Sequence, residues 1–190
     1  MTRIIAGTAR GRRISVPSEG TRPTSDRARE GLFSSLEARF GVADEVVLDL
    51  FAGSGALGLE AASRGAAEVT LVDNSPRAVK TILDNAKVVH EHPRIRVVEA
   101  KASVFVAGAQ RNHYTMVLAD PPYELSDDAV AQMVEAFIPL LTQDAVVVVE
   151  RHSDSAETAW PAGFETTGQK LKKRTFGIAR FDMAIWRGRD

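Results

Sequence analysis

The chain has 190 residues, 44% of them hydrophobic and 26% charged, which predicts one globular domain with a substantial core. It contains no cysteine, so disulfides, thiolate zinc sites and a cysteine nucleophile are excluded. No apolar run approaches the roughly 20 residues that cross a bilayer, and the first residues lack the pattern of a secretory signal. We therefore expect a cytoplasmic protein that uses no membrane, and the scattered histidines predict no metal site.

The formal net charge is −1, but basic residues are concentrated at the two ends of the chain. Residues 1–30 hold seven arginines against three acidic residues, and residues 169–180 hold five basic residues and no acid. Two basic ends around an acidic body suggest a polyanionic partner and a separate site for another ligand. The alternative, which charge alone favours, is that the basic ends are merely solvated.

The first 40 residues predict an appended arm and one helix. Short β-like pieces at 3–6 and 13–16 lie between glycines and prolines, which is typical of an arm. Residues 26–40 carry apolar side chains at helical spacing and predict an amphipathic helix. We expect a division into a basic arm, 1–24, and a main domain, 25–190.

From residue 46 onward, strand and helix patterns alternate. The predicted strands are 46–50, 68–73, 95–98, 114–120 and 145–150. The first predicted helix ends at about Arg64, and the later ones cover 76–89, 103–109 and 127–141. Repeated βα units of this length predict an α/β fold with a parallel, doubly wound sheet. Beyond Gly163, two strands at 169–176 and 178–186 predict an antiparallel hairpin that closes the sheet.

The turn after the first strand of this sheet is rich in glycine. Gly53 to Gly58 matches G-x-G-x-x-G, and Asp73 lies about 20 residues further on, so NAD is one interpretation. However, Asp49 stands at the strand end, where its carboxylate would repel a pyrophosphate and attract a cationic amine. We therefore favour S-adenosylmethionine, which carries a sulfonium and an ammonium but no phosphate, with Asp73 accepting its ribose hydroxyls. A purely structural alternative is that both carboxylates cap helices.

The tetrapeptide Asp120-Pro121-Pro122-Tyr123 follows the apolar run 116–119, at the edge where open α/β sheets bind ligands. The prolines fix φ at about −65° and hold a carboxylate and an aromatic ring in a stiff loop, with the Asp120 and Pro121 carbonyls free to accept hydrogen bonds. Acceptors beside a stacking ring suit a planar substrate with an exocyclic amine. The alternative is that the prolines only end a strand.

These motifs together resemble those of a known enzyme class. Residues 49–55, 72–73 and 120–123 resemble the nucleotide-binding, acidic and catalytic motifs of Class I amino-methyltransferases. The arm narrows the resemblance through Arg3-Ile4-Ile5-Ala6-Gly7, Arg10-Gly11-Arg12, Arg22-Pro23-Thr24, Asp26-Arg27 and Arg29-Glu30. The pattern resembles the RsmD family of bacterial 16S rRNA guanine-N2 methyltransferases over nearly the whole chain, including Phe176-Gly177 of the late hairpin.

The resemblance implies a Class I, Rossmann-like methyltransferase with a mostly parallel seven-stranded sheet, an antiparallel C-terminal hairpin and a short N-terminal β-rich arm. It implies that the catalytic residues are Asp120, Pro121, Pro122 and Tyr123. The implied cofactor-binding residues are Asp49, Phe51, Gly53, Gly55, Asp73, Asn74 and Ala102. The implied RNA-binding residues are Arg10, Arg12, Arg13, Arg22, Arg27, Lys172, Lys173 and Arg174.

One stretch departs from the family pattern. After the third strand such enzymes often place Asp or Asn against the adenine amine, but here the sequence is Glu99-Ala100-Lys101-Ala102. Lys101 cannot accept a hydrogen bond. We therefore expect adenine to be recognised by the backbone around Ala102, or by Glu99.

The resemblance further implies methyl transfer from S-adenosylmethionine to the N2 amine of a guanine in 16S rRNA, with S-adenosylhomocysteine as product. The RNA would be presented within a small-subunit particle, without a metal or an obligate protein partner. A stacked base could not reach the site, so we expect a flipped or unstacked guanine. The alternatives are a DNA adenine-N6 or cytosine-N4 methyltransferase, which would usually need a target-recognition domain, and a non-catalytic RNA-binding assembly factor.

Overall fold

The computed structural model describes residues 2–17, 25–89 and 94–189, which form a small and a large β-sheet with helices. In the small sheet, β1 (Thr2–Arg3) pairs antiparallel with β2 (Arg13–Ile14). The large sheet carries helices on both faces, which confirms the predicted α/β class. None of the described helices is long and apolar enough to cross a membrane.

The alternation of strands and helices agrees with the prediction through residue 150. The strands of the large sheet are β3 (Val46–Leu50), β4 (Glu68–Asp73), β5 (Ile95–Glu99), β6 (Tyr114–Ala119), β7 (Leu141–His152), β8 (Phe164–Thr166), β9 (Thr175–Phe176) and β10 (Ala179–Trp186). The helices are α1 (Asp26–Arg39), α2 (Ala56–Ser63), α3 (Pro76–Ala86), α4 (Ala102–Gly108), α5 (Asp127–Phe137) and α6 (Leu171–Arg174). Single 3-10 turns at Lys87–Val89 and Ile138–Leu140 extend α3 and α5. Strand β7 is longer than predicted at both ends.

Serine side chains fix the starts of α1, α3 and α5. Ser25, Ser75 and Ser126 each precede a helix, and each hydroxyl accepts a hydrogen bond from the backbone N–H three residues further on. Caps of this kind stabilise a helix by about 1 kcal/mol each. Pro76 follows its cap at the first helical position, where no N–H is needed. These serines therefore determine where α1, α3 and α5 begin.

The strand order of the large sheet is β5-β4-β3-β6-β7-β10-β8, with β9 paired to β10 beside this row. Strands β3 to β7 run parallel, whereas β10 is antiparallel to β7, β8 and β9. The chain winds one way from β3 through β4 to β5 and the other way from β6 to β7. Such a switch point, at the carboxyl ends of β3 and β6, is where open α/β sheets bind ligands.

The sheet is buried on both faces, so its central strands are almost continuously apolar. Met116 and Leu118 of β6 belong to the core beneath α1, α2 and α3, whereas Val117 and Ala119 belong to the core beneath α4 and α5. This alternation follows from the period of two along a strand. Two helical layers therefore hold the carboxyl ends of the strands in fixed positions.

The N-terminal arm packs against the main domain in the described range 2–17. The backbone N–H groups of Ile5 and Ala6 donate to the buried Glu60 carboxylate at 2.8 and 3.0 Å. A Cβ at Gly7 would lie 1.7 Å from the Ser63 carbonyl oxygen, so only glycine allows this approach to α2. The arm thus shares the core with the helices, and its assignment as a separate RNA-contacting unit stays a prediction.

The predicted C-terminal hairpin is present around Gly177, but its first strand is shorter than expected. The sequence predicts a strand over 169–176, whereas the structure forms α6 and leaves only the two residues of β9 paired with β10. The physical reason is that Arg174 turns inward to Asp182 of β10, and the Thr175 hydroxyl donates to the Leu171 carbonyl at 2.8 Å. Strand β8, which no sequence pattern predicted, lies at the sheet edge instead.

Candidate active site

Three parallel strands place the predicted site residues at one edge of the sheet. Leu50 of β3 is in register with Val72 of β4 and Ala119 of β6. The residues that follow, Phe51, Asp73 and Asp120, therefore lie side by side where the strands end. The Asp120 N–H donates to the Leu50 carbonyl at 3.2 Å, which continues the pairing of β3 and β6 into the loop.

The glycine loop between β3 and α2 depends on left-handed backbone. Phe51, Gly53 and Gly55 have φ values of 62°, 58° and 79°, and Gly55 is the residue that caps α2. Glycine adopts such values without strain, whereas Phe51 does so only because its surroundings impose them. A Cβ at Gly58 would lie 2.8 Å from a Leu71 methyl group, so α2 can approach β4 only with glycine there.

Asp49 is a buried carboxylate with one oxygen satisfied. Its Oδ2 accepts a hydrogen bond from the Gly58 N–H at 2.8 Å, whereas its buried Oδ1 has no hydrogen-bond partner among the described residues. Burial raises the pKa of Asp49 from 3.8 to about 7; the Gly58 hydrogen bond opposes this rise and the charge of Asp73 adds to it. The helix-cap alternative is therefore correct for one oxygen, and the other oxygen is a buried acceptor without a partner among the described residues.

Asp73 links the end of β4 to the glycine loop. Its Oδ2 accepts from the Gly53 N–H and its Oδ1 from the Ser75 N–H, both at 2.9 Å. Each carboxylate oxygen can accept a second hydrogen bond. Asp73 is only half-buried, so a ligand hydroxyl can reach it without breaking these contacts.

A cleft of about 410 Å³ opens beside Asp73, whereas the predicted cofactor residues Asp49, Gly53 and Gly55 lie outside its lining. Phe51, Asp73, Asn74 and Ala102, four of the predicted cofactor residues, line it together with Lys101. Its opposite wall comes from α5, through Leu125 just before the helix and Ala129, Gln132, Met133 and Ala136 within it. Sequence reasoning missed this wall, because the α5 positions carry no motif.

The proline tetrapeptide lies directly after β6, outside the lining of this cleft but adjacent to it. Pro121 is buried, whereas Pro122 is exposed and its carbonyl accepts from the Leu125 N–H at 3.0 Å. The loop is therefore stiffened both by its prolines and by a tight turn. It brings Leu125 to the cleft while Asp120 and Tyr123 lie at the neighbouring strand ends.

The Tyr123 side chain is tied to the next strand. Its hydroxyl donates to Oε1 of Glu150 at 2.8 Å, and its ring packs against the His152 ring with centroids 5.3 Å apart and an interplanar angle of 83°. Glu150 and His152 are alternate residues of β7 and share one of its faces. Sequence analysis did not identify either residue, since nothing in the chain links them to a tyrosine 27 residues earlier.

Most of the predicted RNA-binding cations lie at the surface. The structure exposes Arg10, Arg13, Arg27, Lys172 and Lys173. Arg12 is also exposed, and its guanidinium donates to the Val88 carbonyl at 2.9 Å. Arg22 lies outside the described residues. The RNA contacts themselves stay a prediction.

Arg174 is the exception, because its side chain is buried. It forms ion pairs with Asp182 and Glu157, and Arg180 donates to the same Asp182 at 2.8 Å. Burial raises the pKa of Asp182, but hydrogen bonds from Arg180 and Thr158 outweigh it and leave this pKa below its usual value. Arg174 is thus part of an internal ion-pair cluster, which corrects its assignment to RNA binding.

The fold and this site define the Class I methyltransferase architecture. The structure of magnesium protoporphyrin IX methyltransferase from Synechocystis, solved with S-adenosylmethionine bound, matches 85% of this chain and 79% of its own with a TM-score of 0.66. At 16% identity, this likeness concerns the fold alone. It confirms the predicted Class I fold, although the large sheet has eight strands in the described part of the chain and not the predicted seven, because β8 and the short β9 both pair with β10.

The sequence profile described as Conserved hypothetical protein 95 matches residues 2–183, and the chain belongs to this family, the RsmD family. Ribosomal RNA small subunit methyltransferase D of Escherichia coli K12 is 36% identical over 176 residues, covering 89% of this chain and 84% of that protein. A structure of a hypothetical protein from Thermus thermophilus has a TM-score of 0.78 and 30% identity, and covers 99% of this chain and all of its own. The family predicted from the motifs is therefore confirmed.

Proposed function

We propose that this protein methylates the exocyclic N2 amine of a guanine in 16S rRNA, with S-adenosylmethionine as methyl donor. The observation that carries the proposal is the register that sets Asp120 beside Phe51 and Asp73 at the ends of β6, β3 and β4. The Escherichia coli relative is named as a small-subunit ribosomal RNA methyltransferase, which supports ribosomal RNA as the substrate. The choice of guanine N2 rests on the resemblance of the arm to the family.

The residues of the cofactor half, by which we mean the carboxyl ends of β3, β4 and β5, suit S-adenosylmethionine. Oδ1 of Asp49, which has no partner within the described part of the chain, is a buried acceptor of the kind that an ammonium group requires. Asp73 retains acceptor capacity for ribose hydroxyls, and Ala102 and Asn74 line a cleft large enough for a nucleoside. When bound, this cofactor supplies a methyl group activated by its sulfonium and leaves as S-adenosylhomocysteine.

The residues of the base half, the carboxyl ends of β6 and β7, suit a planar amine. A guanine N2 lone pair is delocalised into its ring, so the amine must be held with that lone pair toward the methyl group. Asp120 and the Pro121 carbonyl would accept its N–H groups, and Tyr123 would stack on the base. Positioning of this kind lowers a barrier by several kcal/mol. As the new N–C bond forms and the S–C bond breaks, the amine becomes acidic; its hydrogen bond to Asp120 would then strengthen, and the proton would leave to solvent by way of this carboxylate.

Basic residues flank the base half on the side of α1 and α6. The turn at Gly177 lies at the same edge as Tyr123, because Ala179 pairs with His152. Lys172 and Lys173 immediately precede β9. Helix α1 approaches β9 closely, since a Cβ at Gly31 would lie 2.1 Å from the Phe176 ring. This arrangement supports an RNA backbone held by Lys172, Lys173 and Arg27 beside the target base.

The experiment that tests this function measures tritium transfer from labelled S-adenosylmethionine by the purified protein. The substrates are naked 16S rRNA, a small-subunit particle lacking the modification, and duplex DNA. We expect incorporation into a ribosomal substrate and none into DNA. Incorporation into DNA alone, or into no substrate, would contradict the proposal.

A further inference from the structure

We propose that Glu150 is a positioning residue for methyl transfer, which fixes the Tyr123 ring through a hydrogen bond from the tyrosine hydroxyl. The inference rests on the proposed function, because the orientation of Tyr123 matters to catalysis only if this ring stacks on the target base. It adds residues of β7 to a site that the sequence motifs confine to the glycine loop, β4 and the tetrapeptide.

The first observation is the contact itself. The Tyr123 hydroxyl lies 2.8 Å from Oε1 of Glu150, a residue that is 4% exposed. A hydrogen bond to a carboxylate is stronger than one to a neutral acceptor, and shielding from water strengthens it further. The far end of the ring is therefore held at one point of β7.

The second observation is a contact on the ring itself. His152 lies two residues beyond Glu150, on the same face of β7, and its ring meets that of Tyr123 nearly perpendicularly. The Asp154 N–H donates to Nδ1 of His152 at 3.1 Å and so restrains the imidazole. One contact at the hydroxyl and one on the ring together restrict both the position and the plane of Tyr123.

The third observation is that β7 also holds the far end of the same loop. Arg151, between Glu150 and His152, lies on the opposite face of the strand and forms an ion pair with Asp127, the first residue of α5. Three successive residues of β7 therefore restrain this loop. Glu150 and His152 contact Tyr123 within it, and Arg151 contacts Asp127 at the start of α5, where the loop ends. The loop is fixed before any substrate arrives, so little conformational entropy is lost when a base stacks.

Loss of the Tyr123–Glu150 hydrogen bond should lower kcat but leave the affinity for S-adenosylmethionine unchanged. Without the hydrogen bond, the Tyr123 ring samples other rotamers, and fewer bound bases reach the reactive orientation. We expect kcat to fall about tenfold in Tyr123→Phe, a typical effect for a hydrogen bond to a charged group. The affinity for S-adenosylmethionine should not change, since Glu150 and Tyr123 do not line the cofactor cleft.

The experiment compares Tyr123→Phe, Glu150→Ala, Glu150→Gln and the Tyr123→Phe/Glu150→Ala double variant in the tritium assay. Calorimetry with S-adenosylmethionine and thermal melting are measured alongside. Glu150→Gln keeps an acceptor oxygen and should retain most of the activity, while the double variant should be no slower than either single one. The matched control is Tyr114→Phe, since the chain has two tyrosines and Tyr114 begins β6, at the opposite end of that strand from the tetrapeptide.

Three results would overturn the inference. The first is wild-type kcat in Tyr123→Phe, and the second is additive losses in the double variant, which would mean that the two side chains act separately. The third is a loss of cofactor affinity or melting temperature in proportion to kcat, which would mean a purely structural role. Glu150→Gln and Tyr123→Phe keep the test decisive if Glu150→Ala does not fold. Failure of the wild-type protein to methylate any RNA would instead remove the proposed function, and this inference with it.

Discussion

The cofactor half and the base half of the candidate active site are held together by different kinds of contact. In the cofactor half, backbone amides hold the carboxylates: Gly58 donates to Asp49, and Gly53 and Ser75 donate to Asp73. In the base half, side chains hold side chains, since Tyr123 bonds to Glu150 and Arg151 pairs with Asp127. The cofactor half is therefore specified by a compact motif, whereas the base half depends on tertiary contacts that no motif encodes.

The largest effect that separates the two halves is expected for Asp120→Ala. Loss of the acceptor that orients the amine should lower methyl transfer by about 100-fold or more, because positioning contributes several kcal/mol. Binding of S-adenosylmethionine, measured by calorimetry, should be unchanged, since Asp120 lies in the base half and the cofactor cleft is lined from the ends of β3, β4 and β5 and by α5. The matched control is Asp128→Ala, an exposed carboxylate in the first turn of α5 that should transfer methyl groups normally. Near-normal turnover in Asp120→Ala would remove its assigned role.

In the cofactor half, Asp49→Asn should weaken S-adenosylmethionine binding by roughly tenfold to 100-fold, since a buried charged acceptor is lost. The wild-type affinity should rise with pH and level off above about 7, because the carboxyl must ionise before it binds a cation. The Asp49→Asn variant should lack this dependence, and calorimetry over that pH range measures both. An identical pH profile in the two proteins would show that Asp49 does not meet the cofactor.

The same carboxyl should influence the stability of the ligand-free protein. The pKa of Asp49 is higher in the folded state than its unfolded value of 3.8, so folding retains a proton between these values and stability falls as pH rises toward about 7. Between about pH 5.5 and pH 8 the wild-type protein should lose about 2 kcal/mol relative to Asp49→Asn. Urea unfolding of both proteins at each pH tests this, because all other titrating groups are shared. An unchanged difference would contradict the raised pKa.

The smallest effects are expected at the basic surface. Neutralising Arg10, Arg12 and Arg13 together should reduce the slope of log affinity for RNA against log salt concentration by about two to three, one unit per lost phosphate contact.

In the C-terminal segment, the Lys172→Ala/Lys173→Ala double variant should weaken RNA binding without changing the melting temperature. Arg174→Ala should do the reverse, since it breaks a buried ion pair. If Arg174→Ala weakened RNA binding as much as the lysine substitutions do, the charge of a residue and not its exposure would determine its contribution to RNA affinity.

The sequence was informative wherever function depends on local chain geometry. The glycine loop and the tetrapeptide each follow a strand and Asp73 ends one, so their meeting at one edge was predictable from the βα pattern alone. The predicted helix starts at Asp26, Pro76 and Asp127 agree with the structure, where a serine caps each helix. The orphan oxygen of Asp49 was not predictable, because whether a carboxylate caps a helix or binds a ligand depends on the burial of each oxygen.

The C-terminal segment shows what charge patterns cannot reveal. The five basic residues within 169–180 led us to expect an exposed surface for a polyanion, but Arg174 and Arg180 turn inward to Asp182. That acid lies outside the segment whose charge was counted, on the strand that pairs with it. The exposure expected from the local excess of charge is therefore correct for Lys172 and Lys173 and wrong for Arg174 and Arg180, which have a buried acidic partner.

The most direct test of the central claim is mass mapping of modified nucleosides in 16S rRNA from cells with and without this protein. We expect one N2-methylguanosine to disappear when the protein is removed and to return when the wild-type chain is restored. The Asp120→Ala chain should not restore the modification. An rRNA modification pattern that does not depend on the protein, or full restoration by Asp120→Ala, would show that this protein is not the guanine-N2 methyltransferase or that Asp120 is not needed for it.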